Sequence, residues 1–303
     1  MTDATNTLLK LIHDTKAVSI WNHKTGPVFW YAASVPGPFY VNTELVIGPA
    51  LAAELLEKIT AIIAATKDNA ARAEQLNKLI LGAYQMSPQY QQVISAMKLA
   101  AEREFPAGSF NVISGGERRD WLFSIPLAQE LGVRHVFLFK NQTAYCKESF
   151  KENERALHVA DLINNAASYF DLWFPILVKA KLDYIGTLCI NSRGSNGLNR
   201  LKDHGKKTVT LNSVDLSFFD KSLASGLIDR DTRDEIAAYF TSNIDWAKRY
   251  LMHDVKLFDA QNLDAKSFER LASFFTNDPW HLGENHVAFF DAMKVEIAKR
   301  RNA

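Results

Sequence analysis

From residue 109 to residue 225 the chain repeats one pattern: a short apolar run, a turn, then a stretch with helical spacing. The runs are SFNVISGG (109–116), RHVFLFK (134–140), RALHVA (155–160), LDYIGTLCIN (182–191) and KKTVTLN (206–212). Between and after them, helices are expected at 119–131, 166–180, 197–204 and 215–225, with a polar loop over 141–154. Runs that stay apolar rather than alternating belong to strands covered on both faces, and such strands are parallel ones joined by helices. The pattern therefore predicts an α/β fold with a doubly wound, mostly parallel sheet.

The flanks read differently. A short helix is expected at 5–17, with Leu8, Leu9, Leu11 and Ile12 mostly on one side. Residues 17–48 are rich in aromatic and β-branched residues and punctuated by Pro27, Pro36, Gly37 and Pro38, which predicts short strands or a hairpin, an N-terminal hood. Residues 49–66 and 69–104 read as helices with a break at Ser87-Pro88, because the residue before proline avoids the helical region. We expect one domain over 1–228, hood included, and a C-terminal helical extension over 229–303.

Charge removes several function classes. Thirty-five basic and 34 acidic residues give a net charge of +1 with no block of one sign, so no basic stripe for bulk nucleic acid is expected. Cys146 and Cys189, the two cysteines, are too few for a disulfide framework or a thiolate zinc site. No stretch has the roughly 18 uncharged apolar residues of a membrane helix, and the N-terminal residues lack the apolar core of a signal peptide. The expectation is a cytoplasmic protein without a membrane partner.

In open parallel sheets ligands bind beyond the carboxyl ends of the strands, so the loops there carry the candidate chemistry. Ser114-Gly115-Gly116-Glu117-Arg118-Arg119-Asp120 offers two glycines, which let backbone amides approach an anion, and two guanidiniums at a helix start. A tight turn with solvated arginines is the plainer reading of that loop. Asp161 begins a second candidate turn that ends in the small polar run Asn164-Asn165-Ala166-Ala167-Ser168. The third loop is Asn191-Ser192-Arg193-Gly194-Ser195-Asn196-Gly197. His281 and His286 are five apart and miss the i,i+4 spacing of two metal ligands on one helical face. His158, inside an apolar strand, reads as a core histidine, and Cys146 has no partner base.

With these motifs in place, the order of elements over residues 1–228 resembles a type I phosphoribosyltransferase, most of all the orotate phosphoribosyltransferases. The resemblance implies a strand-turn-helix motif of two acids, two apolar residues and a small hydroxyl-and-glycine loop. Its acids serve the ribose hydroxyls and a metal, and its loop holds the 5-phosphate of phosphoribosyl diphosphate. Here Ala160 stands at the first acid, Asp161 at the second, and Asn164, Asn165, Ala166, Ala167 and Ser168 occupy the loop. One carboxylate fewer weakens support for Mg²⁺, a hard ion that seeks oxygen ligands. Ala166 adds a Cβ where glycine would tolerate unusual dihedrals.

The same resemblance implies that Gly115, Gly116, Arg118 and Arg119 face diphosphate. Lys24, in Lys24-Thr25-Gly26, and Tyr40, in Pro38-Phe39-Tyr40-Val41-Asn42, then face the base, as does Arg193. A stacked ring and a half-buried hood aromatic are equally good readings of Tyr40. The region 140–154 stands where the family has a mobile basic lid, which excludes water and supplies charge as diphosphate leaves. It is short and holds Lys140, Lys147 and Lys151 but no histidine or glycine. Lys140 is then the catalytic candidate beside Asp161, and solvated lysines are the plainer reading.

The resemblance thus implies transfer of a phosphoribosyl group from phosphoribosyl diphosphate to a nucleobase such as orotate, Mg²⁺ as cofactor contacted indirectly by Asp161, and a homodimer. The alternative is a regulatory or nucleotide-binding protein on the same fold, binding a nucleoside monophosphate without turnover, which Ala160 and the short lid favour. A structural oligomer built by the helical tail is a third reading. Fold alone does not choose among them.

Overall fold

The structure is a computed structural model that describes residues 3–22, 27–151, 154–253 and 263–301. Helix α1 (Asp3–Asp14) leads into four short strands, β1 (Val18–Ile20), β2 (Phe29–Trp30), β3 (Pro36–Gly37) and β4 (Phe39–Val41). A 3-10 turn, Thr43–Ile47, then enters three helices, α2 (Pro49–Ala65), α3 (Asn69–Met86) and α4 (Pro88–Glu104). Local chemistry sets their ends. Pro49 and Pro88 sit in the first turns, where a missing N–H costs nothing, and Asp68 and Ser87 cap α3 and α4 by accepting from Ala71 N (2.8 Å) and Tyr90 N (3.2 Å). The break expected at Ser87-Pro88 is therefore present.

The alternating region follows as β5 (Val112–Gly116), α5 (Trp121–Glu130), β6 (Arg134–Phe139), β7 (Thr143–Tyr145) and β8 (Glu154–Ile163). A π-helical turn, Tyr169–Trp173, runs into α6 (Phe174–Lys179), and β9 (Leu182–Arg193), α7 (Asn196–Asp203), β10 (Lys207–Val214) and α8 (Leu216–Ala224) complete it. The strands form one six-stranded sheet in the order β10-β9-β8-β5-β6-β7, parallel except for β7 on β6. This is the doubly wound, mostly parallel sheet that the apolar runs predict. Its strand order reverses between β5 and β8, the place where open α/β sheets leave a crevice for ligands.

Two local readings change. The loop expected over 141–154 contains β7, an edge strand pairing Phe137 with Tyr145 and Phe139 with Thr143. Its residues are only half buried, so no apolar run announces it. Strand β8 continues three residues past Ala160, so Asp161 lies in the strand and the turn begins at Asn164. The ladder with β9, which pairs Leu162 with Asn191 and Ile163 with Ser192, holds those residues extended.

The remaining helices are α9 (Arg230–Thr241), α10 (Asn243–His253), α11 (Ala265–Asn277) and α12 (Val287–Arg301). The chain divides into two compact units, Met1–Ala17 with Asn42–Phe218, and Val18–Val41 with Phe219–Ala303. The expected boundary at residue 228, with the hood in the first domain, is thus not the one by which residues pack. The reason is aromatic: Trp21 and Trp30 of the hood are buried with Trp246, Tyr250, Phe274 and Phe275 of the tail. Trp21 meets the edges of Trp246 and Tyr250 at 5.5 Å, and Arg270 Nη1 donates to Trp30 O at 2.7 Å. In the first unit, β5 is buried throughout, and the sheet packs against residues including Trp173, Phe174 and Leu177. No described helix is long and apolar enough to cross a membrane.

Candidate active site at the switch point

Strands β5 and β8 pair at Val112↔Ala156, Ile113↔Leu157 and Ser114↔His158, and there the pairing stops. Beyond it a cavity of about 350 Å³ opens, lined by residues 117–120, Lys140, residues 160–162, residues 164–169 and Trp173. Every one belongs to the first unit. Two of the candidate loops, those after β5 and β8, meet here. Lys140 joins them one residue beyond β6, its backbone N–H donating to Glu117 Oε2 at 3.1 Å.

Gly115 and Gly116 take a different place from the one expected. Both are buried inside β5, and neither lines the cavity. A Cβ on Gly115 would overlap Ser124 Oγ, and one on Gly116 would overlap the Trp173 ring. The Gly116 N–H is already used by Asp120 Oδ2 (3.1 Å), and Gly115 O accepts from Trp121 Nε1 (2.9 Å). The pair is glycine because helices pack onto the strand end, so its amides are not offered to an anion.

The two arginines do line the cavity, each with a protein partner. Arg118 Nη1 donates to Thr60 Oγ1 at 2.6 Å, and Arg119 Nε stands 3.1 Å from Glu44 Oε1. The peptide bond between Glu117 and Arg118 is cis. Glu44 is buried, and its Oε2 makes no hydrogen bond. Burial pushes its carboxyl above the usual range, with Arg119 opposing.

Asp161 lines the cavity as expected, and a second acid stands beside it. Asp120 Oδ1 accepts the Asp161 N–H at 2.9 Å, while its other oxygen holds Gly116. Both carboxyls are pushed upward. Burial is the main cause, reinforced for Asp120 by the charge of Asp161 and opposed for Asp161 by Arg119. Behind Asp120, Ser114 Oγ and His158 Nδ1 are 3.0 Å apart, and His158 Nε2 lies 3.8 Å from Asp120 Oδ2. Burial takes the His158 pKa down to about 3, so the ring is neutral, as expected of a core histidine, although its Nε2 has no hydrogen-bond partner. Position 160 contributes only a methyl group.

Asn164, Asn165, Ala166, Ala167 and Ser168 all line the cavity. Ala166 adopts φ 58°, the left-handed conformation that favours glycine, so the added Cβ is carried at a cost. Asn165 Oδ1 accepts from Ala167 N (3.0 Å), an Asx turn that shapes the loop. From behind, Gly197 N–H donates to Asn164 O (3.0 Å) and Arg200 Nη1 to Asn165 O (2.6 Å). The π-helical turn begins directly after Ser168, and turns of that kind recur at functional sites.

The base-facing candidates are not gathered into this cavity. Arg193 closes β9 at the same carboxyl edge, pairing with Val214, but does not line the cavity. Tyr40 belongs to the second unit, half-buried between Phe29 (6.0 Å) and Tyr31 (6.2 Å). Lys24 lies outside the described residues. No group of three metal-ligating side chains occurs among the described residues, His281 and His286 included. The acids at the cavity fit Mg²⁺ only as an ion that takes most of its oxygen ligands from water and from ligand phosphates. Sequence reasoning missed Asp120 and Glu44. Asp120 sat in plain view within the first loop, whereas Glu44 carries no local signal.

Two of the solved structures that resemble this one are an enzyme of Leishmania and one of Francisella. UMP synthase of Leishmania donovani superposes with a TM-score of 0.55 and 12% identity, over 78% of this chain and 42% of that one. An orotate phosphoribosyltransferase of Francisella tularensis gives 0.50 and 9%, over 77% and 96%. This chain thus spans under half the length of the Leishmania protein. No family model matches the sequence. No curated protein matches it. The likeness is one of architecture: the chain has a type I phosphoribosyltransferase-like fold of the orotate phosphoribosyltransferase kind.

Proposed function

We propose that this type I phosphoribosyltransferase-like fold binds a phosphoribosyl ligand at the switch-point cavity and transfers the phosphoribosyl group to a nucleobase such as orotate. One observation carries the reading: Asp161 and the turn Asn164–Ser168 line a single cavity where the strand order reverses. The turn would receive the 5-phosphate through its amides and the polar side chains Asn164, Asn165 and Ser168. Asp161 would receive ribose hydroxyls. Arg118, Arg119 and Lys140 would stabilise the departing diphosphate, with Arg193, at the same carboxyl edge, assigned to the base.

In the reaction a base nitrogen bonds to C1 of the ribose as the C1–oxygen bond to diphosphate breaks. Diphosphate leaves with the electron pair, and the base nitrogen gives up its proton. The chain's part is positioning and electrostatics. Mg²⁺, entering with the diphosphate and faced by Asp161, would neutralise part of its charge. A homodimer is part of this proposal.

A second reading, a nucleotide-binding protein without turnover, is favoured by a specific observation. Arg118 and Arg119 are engaged by Thr60 and Glu44, and the Gly116 amide is engaged by Asp120, so the diphosphate side is paired internally. Calorimetry separates the outcomes. A nucleoside monophosphate binding more tightly than its nucleoside supports the phosphate turn, and equal affinity rejects it. Release of diphosphate from phosphoribosyl diphosphate and orotate with Mg²⁺ supports transfer, and binding without release leaves the second reading.

A further inference from the structure

Strands β5 and β8 separate after Ser114↔His158, which leaves backbone donors on both without strand partners across the fork. Asp120 occupies that fork. One carboxyl oxygen takes the N–H of Gly116 at the end of β5, and the other takes the N–H of Asp161 on β8. The side chain turns away from its own helix, where it caps nothing. It is largely buried yet borders the cavity beside Asp161.

Position 160 cannot supply a carboxyl next to Asp161. We propose that Asp120 is the second acid of this site, delivered from the loop after β5, and that Asp120 and Asp161 together select ligands bearing a ribose 2-hydroxyl. The inference rests on the phosphoribosyl reading above. Each Asp120 oxygen accepts one backbone amide, and the Asp120 and Asp161 carboxyls hydrogen-bond to each other, so a ligand hydroxyl can donate to a lone pair that the two acids keep between them. The two amides also fix its orientation, so little rotamer freedom is lost when a hydroxyl arrives. Asp120 therefore acts as a strut across the crevice and as a determinant of sugar specificity.

The test uses the full chain with three probes: ribose 5-phosphate, 2-deoxyribose 5-phosphate and inorganic phosphate. The unmodified protein is expected to prefer ribose 5-phosphate over its deoxy analogue several-fold, about the size of one ordinary hydrogen bond. Asp120→Asn keeps one of the two backbone hydrogen bonds; it should erase that preference, with 2-deoxyribose 5-phosphate and inorganic phosphate losing affinity to the same small extent, a combination that a purely structural role would not produce. Asp120→Ser, smaller and without charge, should behave alike and serves if the Asn variant melts early. A preference that survives in a folded variant overturns the inference and leaves the phosphoribosyl reading standing. Failure of the unmodified protein to bind either sugar phosphate overturns both.

Discussion

The amide of Gly197 donates to the carbonyl oxygen of Asn164 at 3.0 Å, fastening the turn that follows β8 to the start of α7. The approach is so close that a Cβ on Gly197 would overlap that oxygen and the Ile163 side chain. Gly197→Ala should therefore push the turn out of place, at about 1–3 kcal/mol of stability, the range for overpacking. Denaturant unfolding gives the loss, and calorimetry with inorganic phosphate should show weaker binding. Unchanged phosphate affinity would detach this tie from the site.

Ala166 holds φ 58° within the same turn. That conformation costs a non-glycine residue about 1–2 kcal/mol. Glycine would relieve it but lose more chain entropy on folding, about 0.5–1 kcal/mol. Ala166→Gly should accordingly stabilise by between about 0 and 1.5 kcal/mol. Ala166→Val, β-branched at positive φ, should cost more than about 2 kcal/mol. Comparison of the two midpoints checks the conformation directly.

Glu44 holds Arg119 at 3.1 Å. If Arg119 serves an anion, the carboxylate competes with the ligand, so Glu44→Gln should raise affinity for inorganic diphosphate several-fold, while Arg119→Ala should lower it. The gain should shrink at high salt, where charge interactions are screened. Titration of both variants at two ionic strengths decides this.

His158 is buried and His135 partly buried, and both are neutral, their pKa values taken down to about 3 by desolvation. The unfolded chain binds protons at these positions below the ordinary histidine value of about 6.5, and the folded chain does not until about pH 3. Their contribution is thus complete above pH 6.5 and lost as pH falls toward 3. Each histidine contributes a slope of up to about 1.4 kcal/mol per pH unit in that window. Asp120 and Asp161, held upward, act in the opposite sense, losing stability as pH rises. His135→Gln should remove about one proton from the slope, measured by urea unfolding between pH 6.5 and 4. An identical slope would mean that the ring is protonated in the folded state.

The sequence by itself determined the strand and helix alternation, because apolar runs, proline starts and Asp68 or Ser87 caps act within a few residues of themselves. It also identified residues 164–168 as a turn at a carboxyl edge, since small polar residues after a buried strand are a local signature, although it began that turn at Asp161, which the strand keeps. What it left undecided depends on which elements become neighbours. The Gly115-Gly116 pair read as an anion cradle, but Ser124 and Trp173 close over it once α5 and the π-helical turn dock. The hood read as part of the sheet domain, but its tryptophans are buried with helices more than 200 residues away in sequence. Asp120 belongs with Asp161 only because β5 and β8 lie side by side and then diverge. Glu44 reaches Arg119 across 75 residues of chain. Hydrogen bonds and ion pairs of this kind are formed by proximity in space, which no local spacing encodes, so tertiary structure alone placed the second acid beside the first.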